Sequence, residues 1–218
     1  MLTLATWNLE RPQKTSKRIP AIIDCIKKIN PDILVLTETN EFIDLGEEYH
    51  CFHTSILPMP YYKEGERRVS IYSKYKAVKA FETFRNDTSI CVQFTTPFGE
   101  LAVYGTVIGI YGNRKKGFTE DLEQQLKDFE EIAATTNLCI AGDLNISFSD
   151  NYYYTQDGRQ KLNASFEKLN LLNLTANIPQ NIDHIIASKS FIGERTFRFE
   201  TWNTDKSLSD HIGVAANG

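Results

Sequence analysis

No stretch of this 218-residue chain is apolar for long enough to cross a bilayer, which excludes a helical membrane-spanning reading. The segment Met1 to Arg11 has no basic stretch followed by a long apolar one, so no secretory signal is expected there. Cysteine is sparse: Cys25, Cys51, Cys91 and Cys139 sit far apart with no Cys-x-x-Cys pair, which argues against a zinc or dithiol redox site. Buried free thiols in a reducing compartment, and hence a cytoplasmic location, are expected instead. An excess of positive charge is also missing, since 24 basic residues face 28 acidic ones for a net charge of −4. The whole-chain balance therefore gives no general affinity for nucleic acid, though a local basic rim, or acids gathered around a cation, is compatible with it. Repeats and low-complexity segments are absent as well. What is present is ordinary for a globular protein, 41% hydrophobic and 24% charged residues, and the length fits one domain spanning residues 1–218.

Apolar runs alternate with turn signals and two amphipathic helical patterns, which predicts an α/β architecture. Leu2 to Trp7 reads as a strand. Ile19, Ile22, Ile23, Ile26 and Ile29 recur at helical spacing, with Ser16 as the expected N-cap and Asn30-Pro31 as the stop. Ile33 to Thr37 is apolar throughout, as in a central strand covered on both faces, and it delivers Glu38 at its end. Further strands are expected around Val69–Tyr72, Ile90–Thr95, Leu101–Ile108, Leu138–Ala141, Ile182–Ala187 and Thr196–Thr201. Leu122, Leu126, Phe129, Ile132 and Ala133 mark one face of a second helix, and a short helix is expected near Ala164–Leu169.

Several polar residues stand at the ends of these strands in a pattern suited to phosphate-ester hydrolysis. That reaction needs an electrophile for the phosphoryl oxygens, a base for water and a partner for developing negative charge. Glu38, with Glu10 and Asp210 as helpers, supplies the hard oxygen donors that Mg²⁺ or Mn²⁺ favours. Asp143 and Asn145 lie two apart at a strand exit, so that one can take a proton from water while the other orients water and phosphate without adding charge. His211, next to Asp210, suits the developing negative oxygen, and Asp183 is the carboxylate expected to fix its tautomer.

Taken in order, Thr6-Trp7-Asn8-Leu9-Glu10, Leu36-Thr37-Glu38-Thr39, Gly142-Asp143-Leu144-Asn145, Ile182-Asp183-His184-Ile185-Ile186 and Ser209-Asp210-His211 resemble the motifs of the endonuclease/exonuclease/phosphatase superfamily, across nearly the whole chain. The resemblance implies a four-layered α/β sandwich, two packed, mainly antiparallel or mixed sheets flanked by helices, with the site at one rim. It implies that Glu38 is the principal metal ligand, with Glu10 at the following acidic position of the first motif and Asp210 assisting. Asn8 matches the family asparagine of the metal and phosphate network. Asp143 and Asn145 would orient water and the scissile phosphate, His211 would stabilise the transition state, and Asp183 would orient His211. One departure stands out. Where many members place a phosphate-touching His or Tyr, this chain has Val107, and Tyr111 or Asn113 just beyond are the residues available to replace it.

Each motif alone has a plainer reading, because strand-end acids are often solvated turns or caps; five in order favour a shared site. Glu10 has the alternative of a surface pair with Arg11. His184, in an apolar strand, is expected to be a packed structural histidine, and His50 and His53 are assigned no role. The clusters containing Arg68 and Arg114 either contact flanking phosphates or are solvated charge. Tyr152 to Tyr154 either line the cleft or plug the loop, and Trp202-Asn203 stand as a border of the site. The expectation is a metal-dependent phosphodiester hydrolase acting on DNA or RNA, needing no obligate protein partner. Its rivals are a phosphoesterase for small molecules or lipid head groups, and a binding module on the same fold that has lost effective chemistry.

Overall fold

The computed structural model describes residues 1–56, 62–110 and 116–218. Strand β1 (Thr3–Asn8) leads through helix α1 (Ile19–Ile29) to strand β2 (Ile33–Asn40), which lies parallel to β1 with Leu4 opposite Ile33 and Asn8 opposite Thr37. A parallel neighbour requires such a crossover, and the amphipathic α1 supplies it by burying Ile22 and Ile26 on the outer face of the sheet. Asn30, in the left-handed conformation, closes the helix with its N–H on the Ile26 carbonyl. The start differs from the expected cap. Ser16 belongs to a turn one step earlier, where its carbonyl accepts from the Ile19 N–H, and Arg18 takes the capping position without a side-chain bond. Pro20 sits in the first turn, where a missing N–H costs nothing.

The chain continues through β3 (His50–His53), β4 (Glu66–Ser73), β5 (Ala77–Phe81), β6 (Ser89–Thr96), β7 (Gly99–Val107), α2 (Lys116–Ala133), β8 (Leu138–Asp143), α3 (Gln156–Lys168), β9 (Leu171–Asn173), β10 (Asp183–Ser188), α4 (Lys189–Ile192), β11 (Arg198–Trp202) and β12 (Gly213–Asn217). These strands form two mixed six-stranded sheets, in the orders β11-β12-β1-β2-β4-β3 and β5-β6-β7-β8-β10-β9. Each sheet holds one parallel pair, β1 with β2 and β7 with β8, and all its other pairings are antiparallel.

Side-chain alternation separates three apolar layers. Leu4, Val35, Val69 and Val214 from the first sheet meet Val103, Val107, Ala141 and Ile185 from the second in the core between the sheets. Trp7, Leu34 and Leu36 face α1, while Tyr104, Ile140 and Ile186 pack under Phe129 of α2 and Leu162 of α3. The result is the expected α/β sandwich, helices outside and two sheets within. Gly105 permits close approach of the sheets, since a Cβ there would lie 2.7 Å from Val69 Cγ1. No helix among the described residues is long and apolar enough to cross a membrane. All four cysteines are free, but they are not uniformly buried: Cys91 and Cys139 are, whereas Cys51 is exposed on the edge strand β3.

Candidate active site

Strand direction brings the candidate residues to one end of the sandwich. β1, β2 and β8 finish there, and β10 and β12, running antiparallel to β8 and β1, begin there. Alternation then decides which side chains meet. Asn8 follows Leu4 on the inter-sheet face of β1, Asp143 follows Cys139 and Ala141 on that of β8, and Asp183 precedes Ile185 and Ala187 on that of β10. Asn8 Nδ2 consequently donates to Asp143 Oδ2 at 3.1 Å from the opposite sheet. Asp143 and Asp183 are register partners across β8 and β10.

Glu38 reaches this end by a different route. Alternation within β2 assigns it to the outer face with Leu34 and Leu36, but its φ of 45° breaks the pleat, so that it lines the cleft. Left-handed backbone is costly for a residue with a side chain and tends to persist where function requires it. Glu10, Arg11 and Asn145 share it, with φ of 53°, 52° and 54°. Gly142 serves the same end: at φ 135°, a Cβ there would sit 2.1 Å from the Thr106 carbonyl oxygen, so only glycine lets β8 approach β7 just before Asp143.

Asn8, Glu10, Glu38, Val107, Gly109, Ile110, Asp143, Asn145, Tyr153, Asp210 and His211 line a single cleft of about 250 Å³. Within it, Asp143 Oδ1 accepts the Asn145 N–H at 2.9 Å, and Asn145 Nδ2 donates to the Ile108 carbonyl at 2.9 Å. His211 Nδ1 lies 2.6 Å from Asp183 Oδ2, and the hydrogen bond fixes the ring with Nε2 3.7 Å from Asp210 Oδ1. Ser209 ties the ends of β1 and the last motif together, donating to the Asn8 carbonyl at 2.7 Å and accepting the His211 N–H at 3.2 Å.

Burial pushes the Asp143 carboxyl up to about 7, with Asp183 and Glu38 adding to the rise against His211. Burial also raises Glu38, opposed by Arg68, Arg11 and His211. For His211 burial acts against the charged ring but is outweighed by Asp183, Asp143 and Asp210, which lift it to about 10. A base near neutrality thus stands beside a cationic imidazole.

Other candidates fall differently. Glu10 is held by Arg18, its Oε2 3.0 Å from Nη1, and the alternative partner Arg11 instead pairs with Glu66 at 2.5 Å. Arg68 is buried, its Nε donating to the Tyr62 hydroxyl at 3.0 Å, and the Thr37–Val69 and Thr39–Arg67 pairs bracket it together with Glu38. It thus acts on Glu38 through charge. Tyr111, Asn113 and Arg114 lie outside the described residues. His184 is fully buried and structural, with Nε2 2.9 Å from the Ile146 carbonyl and Nδ1 3.0 Å from Thr175 Oγ1. Ser209 and Gly109 escaped the sequence reading; Ser209 stood inside a recognised motif, whereas nothing in the sequence marked Gly109.

The donor set fits a hard divalent cation. Ligand atoms of Asp143, Asp183 and His211 lie within 4.8 Å of one another, and Asp183 Oδ1 is buried without a hydrogen-bond partner. This trio differs from the expected ligands Glu38, Glu10 and Asp210. In it Asp183 is already committed to His211, whose cationic ring would repel a metal, while Glu38 lines the cleft as a half-buried carboxylate.

The family model for endonucleases, exonucleases and phosphatases matches residues 5–211, and the chain belongs to that family. Among solved structures, an AP endonuclease from Archaeoglobus fulgidus is 15% identical with a TM-score of 0.73, covering 100% of this chain and 99% of its own. A 3′ phosphatase from Neisseria, bound to product DNA hairpin, is 16% identical with a TM-score of 0.72 and the same coverage, 100% and 99%. An endonuclease/exonuclease/phosphatase from Beutenbergia cavernae is 17% identical with a TM-score of 0.69, covering 99% of this chain and 70% of its own. These likenesses establish the fold. No curated protein sequence matches. The family consists of hydrolytic phosphoesterases, which gives the general class of chemistry.

Proposed function

We propose that the chain is a Mg²⁺- or Mn²⁺-dependent phosphodiester hydrolase acting on nucleic acid. The observation that carries this reading is the meeting of Asn8 and Asp143 from opposite sheets in the same cleft as Glu38, Asn145 and His211. Glu38, with Asp210 and the Asn8 amide, would hold the cation, which when bound withdraws charge from the phosphoryl oxygens. Asp143 takes a proton from the attacking water, a task suited to a carboxyl raised to about 7. Asn145 is fixed by its bond to Ile108, and it orients the water and phosphate without adding negative charge. His211, positioned by Asp183, presents Nε2 to the oxygen on which charge develops. Glu10 is a lesser contributor, because Arg18 neutralises it.

Nucleic acid is favoured as substrate by two structural neighbours, an AP endonuclease and a 3′ phosphatase bound to a DNA hairpin, and by Tyr152 and Tyr153 beside the cleft. Single- and double-stranded DNA, RNA, an abasic duplex and a small phosphate ester, each incubated with Mn²⁺, test the substrate. Hydrolysis of a polynucleotide ahead of the small ester is expected; exclusive turnover of the small ester contradicts the nucleic-acid assignment.

A further inference from the structure

A second pocket of about 260 Å³ adjoins the cleft and shares Asn145, Tyr153, Asp210 and His211 with it. Its outer wall holds Lys206 and Tyr152, neither of which belongs to any recognised motif. The Lys206 ammonium donates to the Tyr152 hydroxyl at 3.2 Å and lies 5.1 Å from the centre of that ring. An ammonium has three donors, and this one makes no ion pair among the described residues, although Asp183 and Asp210 stand in the same wall. Lys206 is half-buried between two exposed neighbours, Asp205 and Ser207, and its φ is 56°.

The loop is also tied to the catalytic histidine. Asn203 accepts the Leu208 N–H on its side chain at 2.9 Å and the Lys206 N–H on its carbonyl at 2.9 Å. Its Nδ2 donates to the Ser209 carbonyl at 2.8 Å and to that of His211 at 2.7 Å. One residue, through its side chain and its carbonyl, therefore sets both His211 and the turn carrying Lys206. The opposite loop is anchored as well, since Asp150 accepts the Tyr152 N–H at 3.0 Å and the Gln180 N–H at 2.7 Å.

We infer that Lys206, positioned by Tyr152, is a specificity-determining residue that binds a second phosphate of the substrate, one residue along the chain from the scissile phosphate. The inference rests on the phosphoesterase reading above and narrows it to substrates bearing at least two phosphates. An ammonium partly withdrawn from water and lacking a carboxylate partner is a phosphate site with fixed position, and contacts of that kind set the register of a nucleotide chain on its enzyme.

The test compares three thymidine dinucleotides: TpT, with a single internal phosphate, and pTpT and TpTp, with an extra terminal phosphate on either side. Relative kcat/KM with Mn²⁺ and relative equilibrium binding are both read. The wild-type protein should favour one of the two phosphorylated forms by about tenfold over TpT. Lys206→Gln should abolish that ratio, and Lys206→Arg, which keeps the charge, should retain most of it. Hydrolysis by the wild type with a ratio unchanged in Lys206→Gln, or with no preference at all, overturns the role of Lys206 and leaves the phosphoesterase reading standing. Preferential binding lost in Lys206→Gln, with none of the three hydrolysed, supports Lys206 and overturns the phosphoesterase reading instead.

Discussion

The pairing of Asp183 with His211 has the sharpest chemical consequence of any contact in the cleft. The short bond to Nδ1 assigns the proton on that nitrogen and leaves Nε2 to face the cleft. Asp183→Asn should keep the ring in place but remove the charge that lifts it. The His211 pKa, read from imidazole carbon and nitrogen shifts in metal-free protein, should fall by more than about one unit from its value near 10. Turnover should fall on the order of 10²-fold or more. An unshifted His211 titration in the variant would show that Asp183 is only a structural neighbour. Arg68 carries a contrasting lesson, because a residue read as a possible phosphate contact proves to be buried beside Tyr62 and Glu66. Sequence places it one residue from a strand's apolar stretch, and only the fold shows on which side of Glu38 it comes to rest.

Among the elements, β10 does two jobs at once: Asp183 points to the site and His184 locks the opposite face. His184 joins β10 to the loop after β8 through the Ile146 carbonyl and to Thr175 through its other nitrogen. The carbonyl can only accept, so Nε2 carries a proton. Burial pushes its pKa down to about 4 from an ordinary 6.5. In that interval the unfolded chain binds a proton that the folded one refuses. The stabilisation is therefore complete above about pH 6.5 and is lost as pH falls toward 4, on the order of 3 kcal/mol in all. Nitrogen shifts recorded between about pH 7 and pH 5 should report a neutral His184 ring throughout in the folded protein. A His184 that is protonated in the folded protein at about pH 6 contradicts the assignment.

Central elements were the ones legible in the sequence, and the reason is physical. Ile33 to Thr37 and Leu138 to Ala141 are buried on both faces, so every residue carries the signal. The edge strand β5 is exposed at four of its five positions, and β12, Gly213–Asn217, is built of small residues; neither offers a period to read. α3 begins well before the apolar residues that announced it, because its N-cap Thr155 and the polar first turns carry no hydrophobic stripe.

At the scale of the whole molecule, the site belongs to neither sheet alone. Asn8 and Glu38 come from one sheet, Asp143 and Asp183 from the other, and His211 from the approach to β12; the inter-sheet core of valines and isoleucines holds the two halves in register. The ordered motifs made the convergence legible, since each polar residue ends or begins a strand that must run to the same rim. What they did not reveal is the left-handed backbone that turns Glu38 into the cleft, or the loop that brings Lys206 to its margin, because both depend on contacts distant in sequence. The account stands on Glu38 and Asp143 serving one reaction centre from opposite sheets. Its most direct test is the Mn²⁺-dependent hydrolysis of bis(p-nitrophenyl) phosphate by the wild type, Glu38→Gln and Asp143→Asn, with folding checked by circular dichroism. Turnover that disappears on chelation and falls on the order of 10²–10⁴-fold in each variant is predicted. Folded variants that match the wild-type rate would contradict it.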